Sequence, residues 1–151
     1  MSWLSDNEIR GFIRRNADET TLGAFQGVFP ISRLPHAVNA YPFFMIVNTQ
    51  SHNLPGEHWI AVFIGSNRRG EIFDSLALPL SNRLVRWMNA FCFSFRRNSL
   101  AYQHPLSARC GVYVLYFVLN RLHDPNCMSL KFGESLSENE ERVMKFYHKL
   151  K

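Results

Sequence analysis

From Gly111 to Leu119 the chain reads GVYVLYFVL, with no charged side chain and apolar residues on nearly every side of a helix. A helix that is apolar all round is stable only when buried, so the remaining elements must pack around this one. The run is far shorter than the roughly 20 residues that a membrane-spanning helix needs. Immediately upstream stands Gln103-His104-Pro105-Leu106-Ser107-Ala108-Arg109-Cys110-Gly111, which places Cys110 where the central helix begins. A thiol is a good nucleophile only as thiolate, and the unpaired N–H groups and positive dipole end of a helix start favour that anion. Gly111 leaves the backbone beside the sulfur unobstructed, and Gln103 carries an amide N–H suited to a developing oxyanion. The other reading of Cys110 is a small buried hydrophobe, the common role of a free cysteine.

With 151 residues, 46% of them hydrophobic, and 13 phenylalanines, the chain is expected to fold as one domain over residues 1–151. A chain of this length buries roughly two-thirds of the surface it exposes when unfolded. Cys92, Cys110 and Cys127 are odd in number and unevenly spaced, which does not suit a disulfide framework and suggests a reducing compartment. No zinc-type Cys/His pattern appears, and Met1 to Arg15 lacks the unbroken apolar core of a signal peptide. The net charge of +5, with basic pairs at Arg14-Arg15, Arg68-Arg69 and Arg96-Arg97, suits salt-sensitive association with a polyanion such as DNA. Solvated arginines on an ordinary surface are the commoner reading of each pair taken alone, and no nucleic-acid recognition motif accompanies them.

Ser5-Asp6-Asn7-Glu8 reads as a capping box ahead of a helix whose inward face is Ile9, Phe12 and Ile13. Thr20 to Asn39, rich in Gly and Pro, reads as irregular, and Pro42 to Asn48 as a buried strand. His58 to Ile64 and Glu71 to Asp74 read as antiparallel strands joined by a turn over Gly65 to Gly70. That pairing brings His58 and Asp74 to the same end of adjacent strands. Ser81 to Phe91 predicts a helix, Ser99 to Gln103 a fourth short strand, and Ser137-Glu138-Asn139-Glu140 the capping box of a last helix.

A histidine, a carboxylate and a helix-opening cysteine are the parts of a thiol acyl-transfer site. His58 would take the thiol proton and later protonate the leaving amine. Asp74 would hold the imidazole in the right tautomer, and Gln103 with the Cys110 N–H would form the oxyanion hole. Trp59 is a candidate shield against water, or simply core. Taken singly, His58 is as well read as a surface or capping residue, Asp74 as a turn former and Gln103 as the satisfied end of its own strand.

With these residues identified, the chain resembles the adenovirus maturation proteases, cysteine endopeptidases related more distantly to the SUMO-specific proteases. Thr21-Leu22-Gly23-Ala24-Phe25 with Phe29-Pro30, Ile46-Val47-Asn48-Thr49, Gly56-Glu57-His58-Trp59, Ile72-Phe73-Asp74 and the Met128-Ser129-Leu130 stretch follow in that family's order. Gln103 to Gly111 matches the family's Q-G-P-x-S-A-x-C-G segment. The resemblance implies an α+β, papain-like fold in permuted order, His before Asp before Cys, with a mixed sheet and a central helix carrying the nucleophile. It implies His58 as base, Asp74 as orienting acid, Gln103 as oxyanion donor and Cys110 as nucleophile. Adenoviral members carry Glu where Asp74 stands, although Asp is usual in the SUMO proteases, and they have a longer C-terminal region.

The implied function is cleavage of viral capsid and core precursors during virion maturation, by a monomer acting in the virion and host nucleus without a membrane partner. Cleavage near small residues, commonly after Gly, is part of the same implication. The chemistry needs no metal or other cofactor. DNA and a short viral peptide are the family's activators, the peptide through a disulfide to a cysteine placed as Cys92 is, eleven residues before Gln103; the apolar run Asn89-Ala90-Phe91-Cys92-Phe93 reads Cys92 instead as a core residue. The alternatives are a protease that removes a ubiquitin-like modifier, an acetyl transferase with the same catalytic groups, and an inactive basic module for nucleic-acid binding or assembly.

Overall fold

A computed structural model describes residues 4–49, 58–128 and 132–151. The first helix, α1 (Asp6–Asn16), starts at the expected capping box, with Ser5 accepting from the Glu8 N–H and Glu8 from the Ser5 N–H. Helix α2 (Glu19–Ala24) follows, capped by Asp18, whose carboxylate accepts from the Thr21 N–H at 2.7 Å. Strand β1 (Phe25–Pro30) comes directly after it. The irregular stretch expected from Thr20 to Asn39 therefore contains a helix and a strand. The strand is hard to see in sequence because its hydrogen-bond partner is tertiary: β1 pairs in parallel with β2 (Phe43–Asn48). Gly27, at φ 138°, lets the extra residue between Phe25 and Val28 bulge out of that ladder.

Strands β3 (Trp59–Ile64) and β4 (Arg69–Phe73) form the expected hairpin, and β2 pairs antiparallel with β3. Helix α3 (Asn82–Phe91), capped by the Ser81 hydroxyl, carries the chain over to β5 (Ser94–Arg97), parallel to β4. The result is a mixed five-stranded sheet in chain order, β1-β2-β3-β4-β5. The last strand is not the expected Ser99–Gln103. The run with Phe95 among arginines, which reads as charged surface in sequence, takes the edge, and residues 99–103 continue beyond it.

Alternation along the strands gives the sheet two apolar faces. Phe44, Ile46, Trp59, Ala61, Phe63 and Phe73 face the central helix α4 (Cys110–Asn120), with α1 and the last helix α5 (Leu136–Tyr147) packed against it. Phe43, Met45, Val47, Ile60, Val62, Ile64 and Ile72 face α3. From Cys110 to Leu115 every residue of α4 is buried, as its all-apolar sequence requires. Helix α5 begins one capping signal earlier than expected: Ser135, not Ser137, caps it by accepting from the Glu138 N–H. Both serines have a Glu three residues on, so the pattern alone is ambiguous. The Gly56-Glu57 and Ser129-Leu130 parts of the family resemblance lie outside the described residues.

Phe73, the last residue of β4, is fully buried and stacks on Phe117 of α4 with ring centroids 5.0 Å apart and an interplanar angle of 7°. This contact fixes the height of the β4 end over the helix. Phe73→Ala is expected to destabilise the fold by about 3–5 kcal/mol, read as a lower urea midpoint. A loss below about 1 kcal/mol would mean that the stack does not anchor the strand.

Candidate active site

The four residues singled out in the sequence converge at one end of the sheet. The register Ala61↔Phe73 and Val62↔Ile72 sets the N-terminal end of β3 beside the C-terminal end of β4. His58, just before β3, and Asp74, just after β4, meet there with Nε2 2.8 Å from Oδ1. His58 is 4% exposed, Asp74 3%, Gln103 1% and Cys110 1%, so their polar groups rely on protein partners rather than on bulk water.

Asp74 is held from several sides. Its Oδ1 also accepts from the Leu76 N–H at 2.9 Å and its Oδ2 from the Leu78 N–H at 3.0 Å, an arrangement in which the following turn wraps around the carboxylate. Asn98, itself buried, grips the Asp74 backbone at both ends: Oδ1 accepts its N–H at 2.9 Å and Nδ2 donates to its carbonyl at 2.7 Å. Arg97 donates to the Leu78 carbonyl, and its Nη2 stands 3.9 Å from Asp74 Oδ2. Neither Asn98 nor Arg97 is apparent as a site residue in sequence. Asn98 directly follows β5, a strand defined by its pairing with β4 rather than by a local pattern.

Cys110 is the first residue of α4, at a position whose N–H has no carbonyl one turn earlier within the helix. Its side chain hydrogen-bonds His58. Because Nε2 is committed to Asp74, Nδ1 is the ring nitrogen left for the sulfur. Burial alone would lower the His58 pKa, but the ring's hydrogen bond to Asp74 and its interaction with the Cys110 side chain, with the charges on both, raise it from 6.5 to about 9. The imidazole is therefore held as imidazolium between two acids at neutral pH.

Gln103 reaches the same site through a different part of the chain. The Ser75 carbonyl accepts from the Tyr102 and Gln103 N–H groups at 2.8 and 3.0 Å, tying the segment to the residue after Asp74. The Gln103 amide donates to the Ser107 carbonyl at 2.7 Å, inside the loop that leads to Cys110. That loop is braced by α5: Ser107 Oγ donates to Glu140 Oε1 at 2.5 Å, and Arg109 Nη1 lies 3.2 Å from Glu140 Oε2. Asn139, next along α5, donates to the Tyr102 and Gly133 carbonyls. In sequence Glu140 was legible only as part of a capping box that α5 does not use.

Trp59 is 1% exposed, with its indole N–H on the Leu4 carbonyl at 3.1 Å, and belongs to the core facing α4. Cys92 stands apart from the other four residues. It is half-buried at the end of α3, packed on the opposite face of the sheet, with its thiol donating to the Met88 carbonyl at 2.9 Å. A cleft of about 620 Å³ over the β3–β4 turn, lined by Arg69, Glu71, Arg96 and Arg121, includes none of the site residues. Among the described residues, no cluster of three or more His, Cys, Asp or Glu side chains is arranged to hold a metal ion. No helix among them is long and apolar enough to cross a membrane.

No protein-family model matches the chain, and no curated protein matches it. Among solved structures it is similar to the crystal structure of the selenomethionine ASFV pS273R protease, at 21% identity and a TM-score of 0.54. The likeness lies in the fold. It covers 69% of this chain and 42% of that protease, so this chain spans less than half the length of the structure it matches.

A histidine whose proton is bound more tightly in the folded than in the unfolded state stabilises the fold where it is protonated. With a pKa raised from 6.5 to about 9, the His58 contribution is complete below about pH 6.5 and lost as pH rises through about 9. The ring resonances of His58, followed by NMR, should titrate near 9 and move well down in Asp74→Asn. A wild-type midpoint near 6.5 would contradict the charged-pair geometry.

Proposed function

We propose that the protein is a viral cysteine endopeptidase that cleaves capsid and core precursors during virion maturation. The observation that carries this reading is the His58 bridge between Asp74 and a cysteine at the start of a buried helix. The shared fold with a protease supports it, as does the order His, Asp, Gln, Cys along the chain, which is that of a papain-like fold in permuted order.

In the first half-reaction the Cys110 thiolate attacks the scissile carbonyl carbon, and the carbonyl electrons move onto oxygen. Gln103 and the Cys110 N–H receive that oxyanion. Its collapse breaks the C–N bond while the His58 imidazolium protonates the departing amine, leaving a thioester on Cys110. In the second half, His58 takes a proton from water as the water attacks the thioester. Collapse of the second tetrahedral species returns the thiolate and releases the acid. Asp74 keeps Nε2–H directed at itself throughout, so that Nδ1 always faces the sulfur.

The substrate class follows from the resemblance to adenovirus maturation proteases and carries with it cleavage after small residues, commonly Gly. The same reading places the enzyme in virion and nucleus. It also assigns it two activators: DNA acting on a surface of net charge +5, and a viral peptide that arrives as a disulfide, whose bond Cys92 attacks to form a mixed disulfide while the other sulfur leaves as a thiol.

Incubation of the protein with a peptide library, followed by sequencing of the new N-termini, should show cuts that follow Gly and vanish in Cys110→Ala. Duplex DNA should raise the rate at about 50 mM salt and lose its effect by about 300 mM, as counterion release requires. Cleavage of modifier conjugates with no internal peptide cuts would favour a deconjugating protease instead. Turnover of acetyl-coenzyme A would favour acetyl transfer. DNA binding without any turnover would leave an inactive assembly module, and cuts that persist in Cys110→Ala would remove the nucleophile assignment.

A further inference from the structure

We propose that Ser75 is a positioning residue that sets which way the Gln103 amide faces and thereby supplies the oxyanion hole with its donor. The inference rests on the reading of Cys110 as an acyl-transfer nucleophile and deepens it. Ser75 is fully buried, directly follows Asp74, and donates its hydroxyl hydrogen to Gln103 Oε1 at 2.5 Å.

The orientation of the amide is forced by hydrogen-bonding capacity. A primary amide has one acceptor oxygen and two N–H donors, whereas a backbone carbonyl can only accept. The Ser107 carbonyl, 2.7 Å from the Gln103 amide nitrogen, therefore demands the NH₂ end. The oxygen is left facing Ser75, whose hydroxyl must donate. Turning the amide over would set two carbonyl oxygens against each other at that distance and leave the hydroxyl opposite an N–H.

One amide N–H is thus spent on Ser107, and the second is the donor left for a substrate oxygen. The Ser75 carbonyl meanwhile fixes the backbone of the same residue by accepting the Tyr102 and Gln103 N–H groups. One serine therefore controls both the main-chain position and the side-chain direction of Gln103. Since Ser75 is bonded to Asp74 along the chain, the acid that orients His58 and the amide that receives the oxyanion are set by adjacent residues.

Two reactions of the same sulfur separate this role from a merely structural one. Acylation by N-acetylglycine p-nitrophenyl ester forms an S–C bond, builds negative charge on the carbonyl oxygen and then expels p-nitrophenolate. Alkylation by iodoacetamide forms an S–C bond and expels iodide, with no oxyanion at any stage. Full-length protein and variants are compared in both reactions, with the modified cysteine mapped by mass spectrometry. Loss of an oxyanion donor typically costs about 10²–10³ in rate, so Ser75→Ala, which loosens the donor without deleting it, should slow acylation by about 10–100-fold.

Alkylation of Cys110 should stay within about twofold, and Ser75→Ala should cost nothing further in a Gln103→Ala background. If the alanine variant does not fold, Ser75→Cys, which keeps a weaker donor in nearly the same volume, supplies the comparison and should show a smaller selective loss. Equal slowing of both reactions, unchanged acylation, or full additivity with Gln103→Ala would overturn the proposal. A wild-type protein whose Cys110 is acylated no faster than Cys92 would instead overturn the nucleophile reading beneath it.

Discussion

The buried contact between His58 and Asp74 organises this end of the molecule. A charged pair removed from water is stable only when its remaining hydrogen-bonding capacity is met, and here the surroundings meet it. The Leu76 and Leu78 N–H groups close on the carboxylate, and Asn98 holds the backbone of Asp74 from the neighbouring strand end. The imidazole then has Nε2 fixed, which leaves Nδ1 for the interaction with Cys110. If the carboxylate were free to turn, the ring would lose both its tautomer and its aim.

The sheet and the central helix supply the rigidity that this contact requires. The β3–β4 hairpin sets His58 against Asp74 through register alone, while the Phe73–Phe117 stack sets the strand end against α4. Cys110 needs no separate device, since it is the first residue of a helix that the core holds on all sides. The loop before it is different. It contains exposed Leu106 and no regular element, so its shape comes from polar ties: Gln103 to Ser75 and Ser107, and Ser107 and Arg109 to Glu140. A rigid apolar frame holds the His58–Asp74 pair, and a polar lattice holds Gln103 and the loop before Cys110.

What was legible in the sequence follows this division. Local signals gave the capped α1, the hairpin with His58 and Asp74 at one end, and the buried helix opening at Cys110, because period and turn chemistry act over a few residues. Strands β1 and β5 carry no local signature because each is an edge strand paired in parallel with a distant segment, and Gly27, Pro30 and the arginines of β5 disguise them. Ser75, Asn98 and Glu140 were not recognisable as site residues for a related reason. Each works by a hydrogen bond to a residue between 24 and 33 positions away, and nothing local marks a buried polar side chain as a brace.

The central claim is that Cys110 exists as a thiolate partnered by His58, unlike the other two cysteines. Brief treatment of the native protein with limiting iodoacetamide at pH 6, with mass-spectrometric mapping, tests it directly, because an ordinary thiol is almost wholly protonated there. The account predicts modification of Cys110 ahead of Cys92 and Cys127 by at least about tenfold, abolished in His58→Ala. Equal or preferential modification of Cys92, or reaction of Cys110 only in alkaline solution, would contradict it.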